Sequence, residues 1–321
     1  MTTALAAPSL EEIRAARERI AGAALRTPLV PLNVDGAPAR IHLKLENLQP
    51  IGSFKLRGAG NAMALAPREA LARGVYTASA GNMAQGVAWM ARRMGVRCDV
   101  VVPESAPEAK LQAIARLGGH AIKVPFDAWW QVLVEHRYAG LDGLFIHPVS
   151  DPAVMAGNGT IGLEILEDLP DVDAVLIPFG GGGLSAGIAS AIRALKPQVK
   201  IFACEVETAA PLAASLRAGK ASAIDHRPSF VDGIGGKSVL EEMWPLAKTL
   251  LDGSLVVPLA QVAAAVRLLV ERNRVVAEGA GATAVAAALA GMGGSGTIAC
   301  VVSGGNIDPR VLARILSGET P

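Results

Sequence analysis

From Val75 onward, short apolar runs alternate with segments whose apolar residues recur every three to four positions. VYTA (75–78) precedes NMAQGVAWMARRM (82–94), and CDVVV (98–102) precedes PEAKLQAIARL (107–117). HAIKV (120–124), DAWWQVLVEHRY (127–138) and LFIHP (144–148) follow. The second half repeats the scheme with DAVLIPF, GLSAGIASAIRAL, KIFACEV, APLAASLRAG, TIACVVS and DPRVLARIL. Strands that are apolar throughout and alternate with amphipathic helices predict parallel sheets covered on both faces. The expected fold class is therefore α/β, with two open, mostly parallel sheets and helices on both faces.

Nearer the start, Ser9 followed by Glu12 forms a capping-box pattern that predicts a helix from about Leu10. The first twenty residues turn charged too soon for a signal peptide. Residues 279–307 carry no charge, but GMGGSG (291–296) interrupts them, so they read as a buried helix–strand pair and not a membrane span. The weakest joint in the pattern is FIHPVSDP (145–152), where Pro and Asp cluster.

Charge narrows the partners. Lys and Arg number 30 against 29 Asp and Glu, and no basic patch stands out, so neither nucleic acid nor a membrane surface is expected as a partner. Cys98, Cys204 and Cys300 lie far apart in strand-like runs. They are expected to be buried free thiols in a reducing compartment, which suits a cytoplasmic protein.

The candidate chemistry centres on Lys55 in Ser53-Phe54-Lys55-Leu56-Arg57-Gly58. A lysine after a Gly-Ser turn, beside an aromatic ring and before a helix-like segment, suits imine formation with a carbonyl cofactor. Three glycine-rich loops follow strands, where open α/β sheets bind ligands. Gly180, Gly181, Gly182 and Gly183, with Leu184, open a helix and present backbone amides to an anion such as a phosphate. The same loop partly fits a dinucleotide site, for which Glu205 at the end of KIFACEV would be the ribose-binding acid, so both ligands stay open on this pattern. Ser79, Ala80, Gly81 and Asn82 open another helix and suit a substrate carboxylate. Ser303, with Gly304, Gly305 and Asn306, offers a hydroxyl to an unprotonated ring nitrogen.

Together SFKLRG, ASAGNMAQG, PFGGGGLSAG, EGAGATAVAA and VVSGGNID resemble the fold-type II pyridoxal-phosphate (PLP) enzymes, tryptophan synthase β-like in fold. Within them the chain is most similar to the threonine/serine dehydratases and serine racemases. The resemblance covers nearly the whole chain. It implies that Lys55 carries pyridoxal 5′-phosphate and that Phe54 lies against its ring. It further implies that Asn82 contacts the ring oxygen, that residues 180–184 hold the phosphate, and that Ser303 faces the ring nitrogen. Residues 1–74 and 145–321 would form a large cofactor domain, with 75–144 a smaller mobile insert, and the protein would be a homodimer. The expected reaction is dehydration and deamination of a 3-hydroxy amino acid such as threonine or serine to a 2-oxo acid and ammonium.

Departures from the family pattern bear on the alternatives. Racemases of the family place a Ser where this chain has Ala80, so a second proton-transfer group is missing and elimination is favoured. Met83 replaces the usual His in a loop bordering the substrate, which leaves bulkier or acidic 3-hydroxy amino acids open. Relatives with a structural cation hold it near the position of Glu205, but the matching downstream acid here is Pro211, so no metal is expected. The pair Trp129 and Trp130 is expected in the core, with lining of the entrance as the alternative.

Overall fold

The computed structural model describes residues 5–321. Ten strands run in chain order as β1 (Leu29–Pro31), β2 (Arg40–Lys44), β3 (Val75–Ala78), β4 (Cys98–Pro103), β5 (His120–Val124), β6 (Leu144–Phe145), β7 (Ala174–Pro178), β8 (Lys200–Val206), β9 (Gly253–Val257) and β10 (Thr297–Val301). They form a six-stranded sheet in the order β1-β2-β10-β7-β8-β9 and a four-stranded sheet in the order β5-β4-β3-β6. Every pairing is parallel except that of the edge strand β1 with β2. The expected architecture is the observed one.

The apolar runs explain why. β3, β7 and β10 are buried at every position, as a strand covered on both faces must be. The uncharged stretch after Glu278 forms the helix Gly279–Leu289 followed by β10, buried as expected. The helix Leu10–Ile20 starts at Ser9, whose hydroxyl accepts from the Glu12 amide while the Glu12 carboxylate accepts from the Ser9 amide. Cys98, Cys204 and Cys300 are buried and unpaired in β4, β8 and β10. Among the described residues no helix is long and apolar enough to cross a membrane.

Two large apolar clusters fill the six-stranded sheet's faces, and a third joins the four-stranded sheet to the helix Lys55–Leu65 through Leu56, Ala59 and Met63. The segment 145–152, where the sequence pattern is weakest, is well packed. His147 and Ser150 are buried there, and the helix Pro152–Asp168, capped by Asp151, runs directly on from it.

Candidate active site

A cleft of about 450 Å³ opens at the carboxyl ends of β3, β6, β7 and β10. It is lined by all the residues expected to hold the cofactor or the substrate, Phe54, Lys55, Ser79, Ala80, Gly81, Asn82, Met83, Gly180, Gly181, Gly182, Gly183, Leu184 and Ser303, whereas Gly304, Gly305, Asn306 and Glu205 lie outside its lining. Loops far apart in sequence meet here because parallel strands end on the same side of their sheets.

Lys55 is the first residue of its helix, and its placement is stitched to the end of β10. The Phe54 amide donates to the Ser303 carbonyl at 3.0 Å, and the Gly305 amide to the Gly52 carbonyl at 2.9 Å. The Lys55 Nζ donates to the Pro148 carbonyl at 2.7 Å and lies 5.1 Å from the centre of the Phe54 ring. Burial lowers the amine's pKa to about 8, with the Glu278 carboxylate pulling the other way. A lysine so placed is available as a nucleophile or base near neutral pH.

The glycine loop leads into the helix Gly183–Leu195, and no side chain caps that helix's start. Its first amides therefore have no partner within the helix and carry the positive end of its dipole. Gly182 adopts φ +95°, a left-handed conformation that disfavours any side chain, and a Cβ on Gly181 would lie 2.5 Å from Val149 Cγ2. The loop is thus held against Val149 while its residues 180–183 line the cleft.

On the opposite wall, Gly81 opens the helix Asn82–Met94, again with no side-chain cap. A Cβ on Gly81 would meet nothing within 4 Å, so this backbone borders open space. Asn82 is oriented at both ends of its amide: Nδ2 donates to Glu278 Oε1 at 2.8 Å, and Oδ1 accepts from Asn306 Nδ2 at 2.7 Å. One Nδ2 hydrogen remains for a ligand oxygen. Met83 is buried in the apolar cluster behind this wall, and Ser303 is buried on the side formed by β10.

Glu278, Pro148 and His147 also line the cleft and were not singled out from the sequence. The Glu278 carboxyl is pushed up to about 7 by burial and by Asp232, with the Asn82 bond opposing. The legible signal for it was that this acid immediately precedes the uncharged stretch. Pro148 acts through its backbone, which no side-chain pattern reveals.

Two other sequence expectations sharpen. Glu205 accepts from the Leu212 and Ala213 amides, both at 2.8 Å, and from Ser254 Oγ at 2.6 Å, so its carboxylate caps the helix Pro211–Ala218. That occupation removes the acid needed for a dinucleotide site. Trp129 and Trp130 line the cleft while packing partly against the cluster of Tyr76, Val101 and Phe145, so both expected placements hold in part. The Trp129 Nε1–H is buried without a protein partner.

The donors present fit pyridoxal phosphate. A buried amine kept near neutrality, an uncapped helix start behind a glycine loop, an oriented amide and a serine at a strand end suit its carbonyl, phosphate, ring oxygen and ring nitrogen. Comparison with known proteins agrees. The family model described as pyridoxal-phosphate dependent enzyme matches residues 20–304. An L-threonine ammonia-lyase of Thermotoga maritima is 41% identical, covering 96% of this chain and 78% of the relative. Another L-threonine ammonia-lyase, from Geobacter sulfurreducens, is 44% identical over 86% of this chain and 69% of its own. The solved structure of maize serine racemase superposes with a TM-score of 0.88 at 32% identity, covering 97% of this chain and 98% of that one. The chain belongs to the pyridoxal-phosphate dependent enzyme family.

Proposed function

We propose that this protein is an ammonia-lyase that dehydrates and deaminates L-threonine or L-serine. The observation that carries the reading is the Lys55 amine, buried, held near neutrality and facing three convergent loops. Relatives named L-threonine ammonia-lyase, 41% and 44% identical, support it.

Bound in this cleft, pyridoxal phosphate would supply a carbonyl for the substrate amine and an electron sink that acidifies the α-carbon. Lys55 and residues 180–184 would hold it, with Phe54, Asn82 and Ser303 around its ring. The amides of residues 79–83 receive the substrate carboxylate at the start of the helix Asn82–Met94. Lys55 Nζ takes the α-proton, which its lowered pKa permits. The β-hydroxyl leaves with a proton as water, and hydrolysis of the resulting enamine yields the 2-oxo acid and ammonium. Residues 75–144 close over the cleft in this reading. Two contacts across the cleft would hold it closed: Lys110 pairs with Asp232 at 2.6 Å, and Lys237 Nζ lies 5.0 Å from the Phe126 ring centre.

The cleft's wall favours apolar over acidic substrates. Among the described lining residues the lysines are Lys55 and Lys110, with no arginine, and Lys110 is paired with Asp232. A second substrate carboxylate would meet Phe126, Trp129, Trp130 and Leu133 and lose its hydration without a counter-charge. Release of 2-oxo acid and ammonium from threonine, serine and 3-hydroxyaspartate tests both points. Threonine or serine should turn over, and 3-hydroxyaspartate should be at least ~10²-fold slower in kcat/KM, a discrimination within reach of one unpaired buried charge. Absence of 2-oxo acid from both threonine and serine would remove the assignment.

Racemisation needs a proton group on each face of the α-carbon. Ala80 contributes only a methyl to the cleft. Replacing Ala80 by Ser should add measurable interconversion of L- and D-serine, read by chiral chromatography, while dehydration persists. Wild-type protein that racemises serine as fast as it dehydrates it would contradict this reading of Ala80.

A further inference from the structure

His147 is a buried group to which the proposed chemistry gives no task. It follows β6 and is 2% exposed. Its Nδ1 accepts from the amides of Val149 at 3.0 Å and Ser150 at 2.7 Å. Two donors on Nδ1 place the proton of the neutral ring on Nε2, which donates to the Leu133 carbonyl at 3.2 Å. Burial, then the neighbouring His136, lower the ring's pKa to about 3, which keeps it neutral. The His136 ring stacks on it at 4.3 Å.

The turn folded around Nδ1 performs two jobs at the cofactor site. Its Pro148 carbonyl accepts from Lys55 Nζ, and its Val149 fills the space behind Gly181 and Gly183. The Val149 carbonyl would lie 2.6 Å from a Cβ on Gly183, so the loop and the turn are in close contact. The other end of the ring reaches the helix Phe126–Glu135, whose aromatic residues form the cleft wall. One imidazole therefore joins the amine, the glycine loop and the four-stranded layer.

We propose that His147 is a positioning residue for the cofactor, its Nδ1 shaping the turn 147–150 that sets both Lys55 and the glycine loop. The proposal rests on the reading that Lys55 and residues 180–184 hold pyridoxal phosphate. A residue that served only packing would show no difference between the two ends of its ring. His147→Asn retains an acceptor close to the position of Nδ1 and loses the reach to Leu133. His147→Gln retains a donor toward Leu133 and leaves the Val149 and Ser150 amides unpaired.

The experiment is equilibrium titration of the apo-proteins with pyridoxal phosphate, beside their melting temperatures. His147→Asn should bind within about threefold of wild type and His147→Gln at least about tenfold more weakly, the effect of leaving buried donors unmet. Both variants should melt lower than wild type. Equal affinities, or the reverse order, would overturn the proposal. Should His147→Gln not fold, Val149→Ala takes its place: a weakening of about threefold or more, the cost of loosening the loop's backing, supports the proposal and an unchanged affinity overturns it. Failure of wild type to bind pyridoxal phosphate would instead remove the functional reading.

Discussion

Lys55→Ala abolishes threonine dehydration, by at least ~10⁴-fold, because one substitution removes both the covalent attachment point and the base. It also abolishes the visible absorption that the bound cofactor shows when joined to the lysine. Turnover by this variant above that limit would end the assignment of Lys55. The loss is separable from unfolding. In the folded apo-protein the amine's pKa is lowered to about 8, first by burial, against an ordinary 10.5. Below pH 8 both folded and unfolded states bind the proton, and the folded state bears the full cost of a buried cation. Between pH 8 and 10.5 the unfolded state binds more protons, so stability rises with pH and the cost fades. Lys55→Met should therefore melt no lower than wild-type apo-protein at pH 7, with its advantage shrinking toward pH 10. Cofactor uptake by wild-type apo-protein, which requires the neutral amine, should rise through about pH 8. A rise centred near 10.5 would show that the amine is not desolvated.

The largest loss of stability is expected two residues further on. Arg57 is buried between two carboxylates, donating to Glu46 at 2.8 Å from Nε and Nη2, and to Glu164 at 2.6 and 2.8 Å. Lys44, also buried, pairs with Glu164 at 2.6 Å, and Thr27 Oγ1 donates to Glu46 at 2.5 Å. The two cations and two anions cancel. Burial alone would raise the Glu46 pKa, but Arg57, joined by Thr27 and Lys44, holds that carboxyl below its ordinary range. Arg57→Leu leaves Glu46 without its main counter-charge and should cost about 3–5 kcal/mol, as removal of one partner of a buried pair does. The melting temperature should fall by roughly 5–10 °C in differential scanning calorimetry. Adding Glu46→Gln should recover part of the loss, since the two residues share one network. Strict additivity of the two substitutions would show that they do not act together.

Arg57 illustrates what the sequence does and does not reveal. It stands in the motif that pointed to Lys55, yet nothing local distinguishes it from an exposed helical arginine. Its partners lie at positions 46 and 164, the first in the turn Glu46–Leu48 after β2 and the second on the helix Pro152–Asp168, and only the tertiary fold brings them to Arg57. Strand β2 escaped the hydrophobic pattern for the same reason, because RIHLK ends in a lysine that is fully buried by pairing. The helix Pro152–Asp168 was obscured by Gly157, Gly159 and Gly162, which weaken helical propensity but let its neighbours approach. By contrast, β3, β7 and β10 and the loops after them were legible. Continuous burial produces continuous apolar runs, and backbone approach to a ligand demands glycine. Glu278 and the turn after His147 act through contacts with distant residues and leave only faint local signals.

The strand order has a consequence for how the protein is made. β10 lies between β2 and β7, and its Ile298 pairs with Ile41 on one side and Ala174 on the other. The larger sheet therefore cannot close until synthesis has passed residue 301. The strands of the smaller sheet all lie between residues 75 and 145, so their pairings are far more local. Local contacts form first and distant ones late. During translation the four-stranded layer should thus assemble while β2 and β7 still wait with an open seam, and Ser303 arrives with the strand that fills it. The catalytic cleft is then among the last parts of the molecule to exist, and a nascent chain stalled before β10 exposes the apolar edges that most need protection from aggregation.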